Sequence, residues 1–176
     1  MGYIKNIFTS VGSRFVDNID NLMDVVTTLE AYFDARKRVA PSRLEERERT
    51  VLRKIFDSLT GAVGEAIKTV DALYNSIIDT FPELPENERK KFKEKTAESI
   101  KMMMDIVYYE LPPVKPKTFE EAVDYLKRLK GLLKTLRKNF ETYFEGVGSA
   151  IEKSIFKEIE REAKERSDEK LHRDVL

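Results

Sequence analysis

Apolar residues recur every three or four positions along almost the whole of this chain, and prolines interrupt that rhythm in only three places. Such spacing puts side chains on one face of an α-helix, so each uninterrupted stretch reads as a single amphipathic helix. The first, from about 3 to 38, carries Ile4, Phe8, Val11, Phe15, Ile19, Leu22, Val26, Leu29 and Phe33. Arg36, Lys37 and Arg38 fill its last turn, where cations suit the helix dipole, and Pro41 is expected to stop it.

Ser42 and Glu45 have the spacing of a capping box, in which each side chain satisfies a free backbone donor of the other, so a second helix is expected over 42–81. Its stripe passes through Leu52, Ile55, Leu59, Val63, Ala66, Val70, Leu73, Ile77 and Phe81, and Pro82 with Pro85 mark the turn that follows. A third helix, 86–111, carries Phe92, Thr96, Ile100, Met103 and Val107 and ends at Pro112 and Pro113, because proline disfavours helical geometry in the residue before it. Thr118 and Glu121 form a second capping box, opening a stripe that continues from Phe119 to Ile159.

This pattern predicts an all-α fold: an antiparallel bundle of four long helices, about 3–38, 42–81, 86–111 and 118–145. The last helix is either extended or bent at Gly146 and Gly148 into a fifth segment, about 149–170, and the bend is the favoured expectation. As one rod the final stripe spans roughly 60 to 75 Å at 1.5 Å per residue, against about 40 Å for the third helix. Residues 1–159 are read as a single bundle domain and 160–176 as a charged tail, helical or frayed. A pattern of Val, Gly, two residues and an apolar one recurs at Gly12, Gly64 and Gly148, where missing side chains would let helices approach closely.

The inventory excludes whole classes of chemistry. With no cysteine there are no disulfides, thiolate zinc sites or cysteine nucleophiles. The single histidine, His172, lies in the charged tail, and one histidine cannot supply the two Glu-x-x-His pairs of a ferritin-like metal centre, which excludes that centre on inventory. Asp17, Asp20 and Asp24 share a helical face, read as a solvated acidic stripe rather than a cation site. No nucleophile, base and orienting group assemble from any local motif, so neither catalysis nor a cofactor is expected. Abundant Lys, Arg and Glu, with no Cys, Trp or Gln, match the bias of hyperthermophile proteins. No apolar run is long enough to cross a bilayer and no secretory signal is read, so a cytoplasmic location is expected.

Net charge is zero, yet antiparallel threading gathers linear charge blocks at the ends of the bundle. The end of the first helix and the starts of the second and fourth should meet at a basic pole holding Arg36, Lys37, Arg38, Arg43, Arg47, Lys115, Lys117, Lys127 and Arg128. Phosphates of a nucleic acid are the ligand such a pole would attract. The opposite pole should collect Asp79, Glu83, Glu141 and Glu145, partly offset by Arg89, Lys90, Lys91, Lys93 and Lys95.

Met102, Met104, Tyr108 and Tyr109 give the third helix bulky groups on more than one face, and Val147, Ile151, Ile155 and Ile159 continue the last stripe past the length of its neighbours. Both sets are candidate contacts for another protein chain, a second copy included. The leading expectation is therefore a non-catalytic interaction or assembly protein. Two alternatives are a nucleic-acid-binding accessory protein using the basic pole, and a peripheral membrane protein using Tyr3, Ile4, Ile7, Phe8 and Val11 as an amphipathic surface, the weaker of the two.

Overall fold

The computed structural model describes residues 2–39 and 43–175, and within them the expected all-α antiparallel bundle is present. Its helices are α1 (Tyr3–Val39), α2 (Glu46–Thr80), α3 (Glu86–Asp105), α4 (Phe119–Glu141) and α5 (Gly148–Val175). A π-helical turn extends α3 over Ile106–Glu110, and another joins α4 to α5 over Thr142–Val147.

The backbone of α1 runs antiparallel to α4 and α5 along its whole length. Phe33 stacks on Phe119 at 6.2 Å, Lys130 reaches Glu30 at 2.9 Å, Arg137 reaches Asp20 at 2.8 Å, and Phe15 meets Phe140 at 5.7 Å. At the far end the Glu152 carboxylate accepts the backbone N–H of Lys5. No acidic residue lies in the first turn of α1, so Glu152 supplies from another helix the negative charge that a helix start favours.

Several boundaries differ from the sequence reading. Pro41 and Ser42, expected to end one helix and cap the next, lie outside the described residues. The second helix starts at Glu46 rather than 42, because Arg43 and Leu44 are spent on the neighbouring loop: Arg43 forms an isolated antiparallel bridge with Thr118, and the Leu44 N–H donates to the Lys117 carbonyl at 2.9 Å. The cap is made one box later, with Glu48 Oε1 accepting the Glu45 N–H at 2.8 Å. Half of the predicted box at Thr118 is present, its hydroxyl accepting from the Glu121 N–H, while the Glu121 carboxylate accepts instead from the N–H of Lys117, one residue before the cap, at 2.9 Å.

Between α4 and α5 the chain does not fold back. Gly146 and Gly148 remain inside a helical path, and Gly148 has right-handed helical angles. The excess length is absorbed partly by α1, which pairs with α5 as far as residue 152, and partly by projection. In place of the expected bend, the chain passes through a π-helical turn in which the adjacent Tyr143 and Phe144 are both buried. Phe144 goes to α1, packing on Gly12 and Phe15, while Tyr143 shares a buried hydrogen bond of 2.9 Å with Thr96 of α3. One widened turn thus lets a single helix serve two neighbours.

Candidate functional site

At the end of the bundle where α2 stops and α1 begins, the apolar surface stays open. Tyr3, Ile4, Phe81, Ile155, Phe156 and Ile159 line a groove of about 180 Å³ there. A second groove, of about 530 Å³, lies on the other side of Phe156, with Lys5, Gly146, Ser149, Ala150, Glu152 and Lys153. Tyr3 is 78% exposed, Phe156 36% and Ile159 44%. Ile155 is the last buried residue among those described, and α5 leaves the bundle within one turn of it.

The expected interface splits on this point. Val147, Ile151 and Ile155 are at most 6% exposed and belong to the core, because α1 extends far enough to cover them; they are not available to a partner, and only Ile159 of that set is. Tyr3, Phe81 and Phe156 complete the open surface; Phe81 ends the stripe of the second helix and Tyr3 opens the first, while Phe156 escapes periodicity because it lies one position off the Ile151, Ile155, Ile159 stripe.

Residues 160–175 continue as helix beyond the bundle, about 24 Å at 1.5 Å per residue. The helix supports itself through charges: Arg161 bridges Glu158 at 2.8 Å and Glu165 at 3.1 Å, and Glu160 with Lys164 and Glu162 with Arg166 have the favourable order for pairs four apart. Phe156, Ile159, Ala163, Ser167 and Leu171 nevertheless recur at threes and fours, leaving a narrow apolar and small-residue stripe along this rod. Leu171 is 69% exposed.

The third helix buries Met103 and exposes Met102, Met104, Tyr108 and Tyr109, the two tyrosines lying in its π-helical turn. Met102 borders a groove of about 400 Å³ shared with Ser99, Asn139, Thr142 and Gly146, in which Asn139 Nδ2 donates to Ser99 Oγ at 3.2 Å. Met102 and Met104 lie on α3, and the groove beside Met102 shares only Gly146 with the one beside Phe156.

The three helix ends expected at the basic pole meet: the Arg43 to Thr118 bridge ties the start of α2 to the start of α4, and Arg36 of α1 reaches Glu45 and the Phe119 ring. Three of its nine cations are engaged. Arg36 faces Glu45 and the buried Glu48 and lies 5.1 Å over the Phe119 ring; Arg38 pairs with Asp34 and Arg47 with Glu45. Among the described residues, no carboxylate lies within ion-pair reach of Lys37, Arg43, Lys115, Lys117, Lys127 or Arg128, all exposed. Glu141, expected at the acidic pole, is held with Asp20 of α1 by Arg137, which bridges the two carboxylates. Arg89, counted there as a surface cation, instead clamps the turn after α2, donating to the carbonyls of Leu84 and Phe81 at 3.0 and 2.8 Å.

Burial pushes the Tyr125 and Tyr143 hydroxyls up to about 12, and the Glu48 carboxylate holds that of Tyr32 above its usual range through a 2.9 Å hydrogen bond. Tyr125 is alone in having no hydrogen-bond partner for its buried hydroxyl among the described tyrosines. No three His, Asp or Glu side chains of the described residues gather as metal ligands, and no described helix is long and apolar enough to cross a membrane. Of the amphipathic surface read as a membrane face, Ile4 and Phe8 are core residues, Ile7 and Val11 are half-buried and Tyr3 is exposed. Comparison with protein-family models, curated proteins and solved structures finds no match to this chain.

Proposed function

We propose that this protein acts by binding another protein chain, as an assembly or interaction element without chemistry of its own, through the apolar end of the bundle and the helix that projects from it. The observation that carries this reading is the exposed group of Tyr3, Phe156 and Ile159 at the point where α5 leaves its neighbours. Large exposed apolar side chains grouped around a groove and rimmed by charge are the composition of an interface. The test is association of the full chain with itself or with another protein, compared with the variant Phe156→Glu/Ile159→Glu. Loss of association in a variant of unchanged helicity supports the reading. A wild-type chain that associates with nothing overturns it.

A second reading has its own support in the six cations of the basic pole that no described carboxylate compensates. A nucleic-acid backbone would be held there with an affinity that falls steeply with salt. Binding of duplex DNA and RNA at low salt, lost in Arg43→Glu/Lys117→Glu, tests it; no binding by the wild type even at low salt ends it.

A further inference from the structure

We infer that the occupant of this surface is a second copy of the same chain, its projecting α5 lying antiparallel against the first; this rests on the protein-binding reading above. The inference comes from the register of the rod. Take a twofold axis at the level of Glu165. Residues whose numbers sum to about 330 then face one another, so Ile159 of each copy meets Leu171 of the other, and Ala163 meets Ser167. The large groups sit at the two ends of the overlap and the small ones at its centre, where the helices can approach closely.

The charges agree with this register on both edges. Taking 100° per residue, Lys164 and Asp168 lie on one flank of the stripe and Glu162 and Arg166 on the other, while Glu160 and Lys170 fall within it, where Glu160 of each copy comes level with Lys170 of the other. Antiparallel pairing keeps each flank on its own side, so Lys164 faces Asp168 of the second copy and Glu162 faces Arg166. Twofold symmetry repeats both contacts. Glu165, which would otherwise confront itself on the axis, points away from the interface on the back of the helix with Arg161, its intrachain partner.

The length agrees too. With the axis at 165, the last helical turn of the second copy lies level with Ile155 and Phe156, beside the groove of Tyr3, Ile4 and Phe81 that the first copy leaves open. The two bundles then sit at opposite ends of a shared two-helix rod and do not collide.

The chain has no native cysteine, which makes the geometry directly testable in the full-length protein. We expect a concentration-dependent dimer at about 100 µM, since a two-helix contact falls in the small, weak class of interfaces. Leu171→Glu should abolish it with the bundle intact by circular dichroism. Lys164→Glu should weaken it about tenfold or more, and Lys164→Glu/Asp168→Lys should restore it. Mixed Ala163→Cys and Ser167→Cys chains should form a disulfide. Leu171→Cys should not pair with itself, because the two positions lie about 18 Å apart along the rod. A strict monomer, or a dimer indifferent to Leu171 and Lys164, overturns the inference. If such a monomer still binds a different protein through Phe156 and Ile159, the broader reading survives; if it binds nothing, both fall.

Discussion

Gly148 of α5 lies against Phe8 of α1 so closely that a Cβ at position 148 would fall 2.6 Å from the Phe8 Cβ. One turn away the relationship is reversed: Gly12 of α1 receives Phe144, with the corresponding distance 2.5 Å. Each helix thus offers a glycine to the other's phenylalanine, and this pair of contacts fixes the register in which α1 covers the start of α5. By covering it, α1 buries Val147, Ile151 and Ile155 and leaves the helix bare only beyond them.

Gly12→Ala and Gly148→Ala should therefore each lower stability by about 1–3 kcal/mol, the usual cost of overpacking, despite a helix-propensity gain of up to about 1 kcal/mol. The clash is with the first carbon of the phenylalanine side chain, which cannot swing aside. Gly64→Ala is the internal control, since a Cβ there meets nothing within 4 Å; it should stabilise by ~0.5–1 kcal/mol. Urea unfolding midpoints of the three variants check the sign of each.

The Gly-containing pattern illustrates what the sequence could and could not reveal. Repetition at residues 12, 64 and 148 marks close crossings at two of these positions and nothing at the third, because a glycine's role depends on what faces it. Helix number and order were legible because three proline clusters divide stripes of regular period. The π-helical turn was not, since Tyr143 and Phe144 fit the spacing of a regular helix until α3 and α1 both require a residue from the same turn. The basic pole was legible as threading, whereas its partial neutralisation at Arg36, Arg38 and Arg47 depended on side-chain reach. The end of the stripe at Ile159 was visible, but which of its residues α1 covers was not.

Tyr125→Phe should stabilise the protein by about 1 kcal/mol. Its hydroxyl is buried with no partner, and an unsatisfied buried polar group costs roughly 1–3 kcal/mol that its removal recovers in part. The ring itself, 5% exposed, is retained by phenylalanine. An unfolding midpoint below wild type would show that the hydroxyl is satisfied in solution.

Glu48→Ala should be among the most destabilising changes at the basic pole, by ~1–3 kcal/mol, because one carboxylate serves three groups. It accepts the Tyr32 hydroxyl at 2.9 Å and the Glu45 N–H at 2.8 Å, and faces the Arg36 guanidinium at 4.0 Å. Glu48→Gln keeps one acceptor for the backbone cap and should lose less. The comparison of the two by thermal unfolding separates the cap from the charge.

Stability should fall at high pH through the buried tyrosines. The Tyr143 hydroxyl is raised to about 12 in the folded protein, against about 10 for an unfolded chain. Below pH 10 both states keep the proton and the contribution of burial is fully present; between about 10 and 12 the unfolded state ionises first, so stability is lost as pH rises. The gap between about 10 and about 12 amounts to roughly 2–3 kcal/mol for Tyr143, which is 3% exposed, and Tyr125, raised in the same direction, adds to the loss. Tyr143→Phe removes the ionising group along with its hydrogen bond to Thr96. The variant should be less stable than wild type near neutral pH, by about 1 kcal/mol, yet lose less between pH 9 and 12. Urea midpoints of both proteins across that range measure the difference in slope, and parallel profiles would show that Tyr143 does not govern alkaline unfolding.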